Sequence, residues 1–176
     1  MRLAKQWVLL PAFLFIAACA CGQNIRYNFD PGTDFTAYKT YQWAYIPGGN
    51  APDQLVDQAI KRAIDEQLAR KGFSETEEDA DLFVAYVAVV HAGKSVDFSN
   101  VDGPRWWDTG SLQAATSNTP VGTIAVILYD PAREQLIWRG DASKTLGLKK
   151  NPAKNYKILR KAMIKLFKNY PPKPDK

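Results

Sequence analysis

The chain has 176 residues, of which 46% are hydrophobic and 23% charged, with a net charge of +5. That length fits one domain and that apolar share fits a packed core, which excludes a disordered chain, a collagen-like repeat and a disulfide-stapled miniprotein. A basic net charge admits a nucleic-acid reading, so where the charges sit decides what they mean.

Arg2 and Lys5 precede an uncharged run, 7–18. This run is too short for a spanning helix, which needs about 20 apolar residues. A basic start, a short apolar stretch and small residues at its end describe a secretory leader, expected over 1–18. Ile16-Ala17-Ala18-Cys19 resembles the lipobox of bacterial lipoproteins. On that reading Cys19 carries diacylglycerol, the chain is cut before it, and the new amino group takes an acyl chain such as palmitate. No other cofactor is expected. Two readings stand beside it: ordinary cleavage after Ala20, and lipid on Cys21. With Cys19 lipidated, residues 19–24 form a tether. Ala20 in the next position then favours the outer membrane, facing the periplasm, by analogy with lipoprotein sorting. A protein held there does not meet the chromosome, which removes nucleic acid as a partner. No cysteine follows Cys21, so the domain has neither a disulfide nor a thiol catalyst.

Ile25, Tyr27 and Phe29 alternate with Arg26, Asn28 and Asp30, the period of a half-buried strand. Residues 38–45 read as a second strand with Tyr41, Trp43 and Tyr45 on one side. Residues 52–71 read as a helix whose face is Val56, Ile60, Ala63, Ile64 and Leu68. Asn50 or Ala51 is its expected cap, and Gly72 its stop. A short edge strand is expected at 73–75. Residues 82–90 carry no charge and read as a central strand. Residues 92–121 show no clear period, a long connection for a compact domain. Residues 122–130 and 135–143 form a hairpin, with Ile124, Val126, Leu128, Leu136 and Trp138 around a polar turn. Asn151-Pro152 opens the last helix, whose stripe is Tyr156, Leu159, Met163, Leu166 and Tyr170. Pro171-Pro172 ends it, and 173–176 is a frayed tail. The whole predicts one α+β domain over 25–172. It is a two-layer sandwich: a mostly antiparallel sheet of about five strands with both helices on one face.

The segment Asp34-Phe35-Thr36-Ala37-Tyr38-Lys39-Thr40-Tyr41-Gln42-Trp43 resembles the D-F-x-x-Y-K-T-Y-x-W pattern of bacterial lipoproteins classed as domain of unknown function 4136. Ala80 to Tyr86, Gly122-Thr123, Leu136 to Gly140 and Tyr170-Pro171-Pro172 extend the likeness over nearly the whole of 25–172. The resemblance implies an envelope lipoprotein and carries no catalytic residues with it. Many relatives have a Gly- and Tyr-rich loop before the hairpin. Here that stretch reads Val101 to Asp108, so a function carried by the loop differs in this chain.

Candidate chemistry is sparse. His91, the sole histidine, stands at a strand end with no partner fixed by spacing, so a structural role is favoured. The acidic run Glu75, Glu77, Glu78, Asp79, Asp81 lacks the order that wraps a chain around calcium, and no zinc spacing or phosphate loop exists; no metal is expected. Arg105-Trp106-Trp107-Asp108, with Asn100 nearby, is a candidate ligand-binding loop. Flat indole faces stack on sugars, and Asp102 or Asp108 would be the acid groups of a glycan enzyme. The plainer reading is a Trp tucking the loop onto the sheet.

Charge is segregated. Residues 144–176 hold eleven basic side chains and one acid, whereas 19–143 hold ten and seventeen. Lys154, Lys157, Lys161, Lys165 and Lys168 lie off the apolar stripe of the last helix. They form either a solvated face or a contact for anionic lipid headgroups or an acidic partner. The favoured function is a membrane-anchored, non-enzymatic envelope accessory whose partners are the bilayer and an envelope protein or glycan. The rival is a glycan enzyme or binder at the Trp106-Trp107-Asp108 loop. The anchor has a direct check: metabolic palmitate labelling is expected on the wild-type protein and absent from Cys19→Ser, and persistent label on that variant contradicts the lipobox reading.

Overall fold

A computed structural model describes residues 23–46, 52–92, 120–145 and 151–172. Their elements, in chain order, are β1 (Asn24–Phe29), β2 (Thr40–Trp43), α1 (Gln54–Arg70), β3 (Ser74–Glu75), β4 (Leu82–Ala92), β5 (Pro120–Asp130), β6 (Gln135–Thr145) and α2 (Pro152–Leu166). A 3-10 turn, Phe167–Asn169, closes the last helix.

The strands make one mixed sheet in the order β1-β6-β5-β4-β2-β3. It has six strands rather than five. β1, β6, β5 and β4 pair antiparallel, while β2 pairs parallel with both β3 and β4. The parallel part follows from α1: a helix between β2 and β3 returns the chain to its starting end, and the next strand must run the same way. Both helices lie on one face. Their buried residues Ile60, Ile64, Leu68, Met163 and Leu166 form one core with Leu82 and Val84 of β4, Val126 and Leu128 of β5, and Trp138 of β6. The other face holds a smaller cluster of Ile46, Ala85 and Ile127.

Three local expectations are corrected, and the register of the hairpin is defined. The cap of α1 is Asp53, whose carboxylate accepts from the Leu55 N–H at 2.9 Å; an Asp there satisfies an orphan donor, so the helix starts after Pro52 rather than at it. β2 ends at Trp43, and Tyr45 beyond it is 77% exposed instead of sharing the face of Tyr41 and Trp43. A register shift at Leu128/Tyr129 pairs Leu128 with Trp138 and Tyr129 with Leu136. The extra residue turns Leu136 to the second face, so Leu136 and Trp138 do not share a side. Tyr170 is off the α2 stripe: it follows the 3-10 turn in extended conformation, because a residue before proline disfavours the helical region. Its ring still enters the core, 2% exposed.

Gly140 on β6 sets how closely α2 approaches. A Cβ there would lie 2.4 Å from Trp138 Cη2 and 2.7 Å from Leu166 Cδ1. Gly140→Ala therefore forces the indole or the helix to shift, and overpacking of this kind costs about 1–3 kcal/mol. Urea unfolding of that variant is expected to show a lower midpoint; an unchanged one contradicts the packing.

Candidate functional site

The segment 34–43 carries a dense set of polar and aromatic side chains, and most of them are spent on the scaffold. The Asp34 carboxylate accepts from the backbone and hydroxyl of Thr36 at 3.0 and 2.6 Å. Phe35 packs edge-on to Phe29 and Tyr170. The Tyr38 hydroxyl donates to Asp130 at 2.7 Å. Asp81 accepts the N–H groups of Lys39 and Thr40 at 2.7 and 2.8 Å, and these hold its pKa below the ordinary aspartate value. Asp81 is thus the member of the acidic run that joins β4 to β2.

A corner of the molecule combines the end of β2, the start of α1 and the middle of β4. Tyr41 and Trp43 sit two apart on β2 and face α1. The Tyr41 hydroxyl and the Trp43 indole N–H both donate to Asp65 Oδ1, at 2.8 and 3.1 Å. Burial pushes the Asp65 carboxyl above its ordinary value, and the two donors offset this only in part. Two turns earlier, Asp57 accepts from the Tyr86 hydroxyl and pairs with Lys61 Nζ at 3.1 Å. Burial raises the Asp57 carboxyl, but these two partners outweigh it and leave it below the ordinary value. Burial and Asp57 both raise the Tyr86 hydroxyl. Lys61 Nζ also stands 5.8 Å from the centroid of the Trp43 ring. Beside these groups is an open cavity of about 180 Å³ lined by Trp43, Tyr45, Ile46, Asp57, Lys61 and Tyr86, among others. Asp57 is the one carboxylate among the described residues of its wall.

The second candidate is the outer face of α2. Lys154, Lys157, Lys161 and Lys165 fall within an arc of roughly 80° at 3.6 residues per turn. That arc is opposite Met163 and Leu166, and Lys168 extends it from the 3-10 turn. All five are exposed, and none makes an ion pair with a described residue. α2 contains no acid. Arg160 behaves differently: it donates to Glu66 of α1 at 2.6 Å, next to the Tyr156 hydroxyl at 2.7 Å on the same carboxylate.

Residues 25–172 match the family described as Domain of unknown function (DUF4136). The chain belongs to this family. In this DUF4136 chain the resemblance of segment 34–43 is therefore a resemblance of scaffold contacts. No curated protein matches it in sequence. Its fold is similar to that of a PDZ domain protein from Parabacteroides distasonis, with TM-score 0.56 and 13% identity over 87% of this chain. The chain spans only 36% of that protein. A PelC dodecamer from Paraburkholderia phytofirmans is similar with TM-score 0.49 and 11% identity, over 83% of this chain and 95% of that one. At such identities the likeness is one of fold alone. Among the described residues of the DUF4136 domain no helix is long and apolar enough to cross a membrane.

The predicted sites are divided by the structure. The lysines share one face as their spacing requires. His91 lies near the end of β4, opposite Val121. The leader, Cys19, Cys21, Arg105, Trp106, Trp107, Asp108 and the tail 173–176 lie outside the described residues, as do Asn100 and Asp102. The corner cavity was not anticipated. Two signals pointed toward it: the Asp57/Lys61 spacing of one helical turn, and the aromatics at 41, 43 and 45. What was missing was β4 lying parallel beside β2.

Asp65 gives a test with a defined sign. Its folded pKa is raised, so its contribution to stability is full below the unfolded value and is lost as pH rises through the folded one. Asp65→Asn keeps an oxygen for both donors and removes the buried charge. Its urea midpoint relative to wild type is expected to improve as pH rises through the acidic range. Asp65→Ala strands two donors and is expected to lose about 2–4 kcal/mol. Equal behaviour of the two variants contradicts this account.

Proposed function

We propose that this protein is a lipid-anchored accessory of the bacterial envelope that acts by binding rather than catalysis. An acylated Cys19 holds it to the outer membrane, facing the periplasm, and the α2 lysine row rests on anionic lipid headgroups of the bilayer that bears the anchor. The observation that carries the reading is the row itself: five exposed ammonium groups in one direction, unpaired among the described residues. Along the axis, Lys154 to Lys165 extends roughly 17 Å, a footprint suited to a surface rather than to one small anion.

The position of α2 supports the same reading. It packs on β6 and β1, and β1 begins at Asn24, five residues after Cys19. Such a tether reaches at most roughly 17 Å. A domain held that close meets the surface at a high effective concentration. The acyl chains of such an anchor suffice for stable attachment, so the basic row would orient the domain on the surface. The polar groups of the corner agree with binding, since Asp57 is engaged by Tyr86 and Lys61.

The unacylated protein is expected to co-sediment with vesicles containing phosphatidylglycerol, less so as salt rises, and not with vesicles of phosphatidylcholine alone. Each lysine near an anionic surface is worth about 1 kcal/mol. Replacing Lys157, Lys161 and Lys165 with Gln should therefore weaken binding by about two orders of magnitude. Equal binding to neutral vesicles, or an unaffected triple variant, overturns the proposal; capture of an acidic envelope protein in place of vesicles does so as well.

A further inference from the structure

The corner cavity has a chemistry that is separate from the lysine row and from any lipid anchor. Its volume is about 180 Å³. A cavity of about 150 Å³ accepts a benzene-sized ring, whereas drug-sized ligands need about 300 Å³ or more. The space fits one six-membered ring.

The walls decide which ring. Trp43 and Tyr86 meet edge to face, 6.2 Å between centroids at 87°. Trp43 is held by its indole N–H on Asp65, and Tyr86 by its hydroxyl on Asp57. Both are fixed before any ligand arrives, which lowers the entropic cost of binding. Tyr45 is different. It is 77% exposed and its ring packs on no other described ring. An aromatic face that large, open to water at the mouth of a cavity, is available for stacking.

The polar pair narrows the choice further. Asp57 and Lys61 stand one helical turn apart on α1 and are bonded to each other at 3.1 Å. Their charges cancel, so an ionic ligand would meet attraction and repulsion at similar range. A purely apolar ring would strip water from both groups and return nothing, which is costly. A ring with a C–H face and hydroxyls on its rim suits every wall. Its face meets the aromatic ring, its hydroxyls donate to the carboxylate, and its oxygens accept from the ammonium. That ring is a pyranose.

We propose that the cavity binds one neutral pyranose residue of a glycan, with Tyr45 stacked on the sugar face and Asp57 and Lys61 bonded to its hydroxyls. The ligand class is the one the sequence attached to the Trp106-Trp107 pair, but the residues are different ones. The proposal does not depend on vesicle binding, and failure of the lysine-row reading leaves it intact.

The test is calorimetric titration of the full chain with two neutral probes, the tetrasaccharide of N-acetylglucosamine and maltotetraose. Saturable binding of at least one is expected. Tyr45→Ala and Lys61→Met should each weaken it at least tenfold, while Tyr45→Phe retains it. Thermal unfolding checks the fold of each variant; Tyr45 is mostly exposed, so its replacement is expected to leave the Tm nearly unchanged. Three results overturn the proposal: no binding of either probe, binding undiminished in Tyr45→Ala, or stronger binding of a polyanionic oligosaccharide such as tetragalacturonate than of both neutral probes.

Discussion

An indole packed over a residue with no side chain organises this molecule. Trp138 is wholly buried, and it can be so because Gly140, two residues on, leaves its ring and Leu166 the space a Cβ would take. From that ring an aromatic seam runs outward. Phe167 and Tyr170 lie 5.3 and 5.4 Å from it, and Tyr170 in turn meets Phe35 at 5.7 Å and Phe73 at 5.9 Å. One contact system thus joins β6, the end of α2, the turn before β2 and the exit of α1. Aromatic pairs add about 0.5–1.5 kcal/mol beyond their burial, so the seam fixes the rotation of α2 about its own axis. The direction in which the lysines point is a consequence of that rotation.

The electrostatics divide along the same line. α1 carries its acids against neighbours: Asp57 against Tyr86, Asp65 against Tyr41 and Trp43, Glu66 against Tyr156 and Arg160. Each is neutralised or satisfied locally. α2 has basic residues and no acid, and only Arg160 is drawn into a pair with α1. An exposed pair of that kind contributes little energy, but together with Tyr156 it sets the two helices side by side. The surplus charge therefore stays on the outer face, and of the net charge of +5 the leading residues Arg2 and Lys5 carry two while the other three are the remainder of two unlike parts.

The elements that were legible in the sequence are those governed by short-range pattern. Period two marked β1, the uncharged run marked β4, and 3.6-residue spacing marked both helices and placed the five lysines on one side. Features set by distant partners were hidden. Nothing local says that Tyr45 leaves the sheet, since β2 is short only because its pairing with β4 ends there. Nothing local says that Ile137 is the extra residue of β6, because register belongs to two strands at once. The corner cavity had the same obstacle: Trp43, Asp57 and Tyr86 are brought together by the parallel return through α1. The loop pair Trp106-Trp107, conspicuous by composition, lies outside the described residues.

The sheet order has a consequence for how the chain comes to be folded. β1 is the first strand to be made and sits at one edge, and its partner β6 is the last, with Phe29 opposite Trp138. The hairpin of β5 and β6 and the β2-α1-β3 crossover close short loops, whereas β1 must wait until nearly the whole domain has emerged. Contacts of such long separation are slow to form. Until β6 has been made, β1 remains an unpaired strand, with Tyr27 and Phe29 uncovered. The chain therefore needs a holder, or speed, to keep its first strand from pairing with a neighbour.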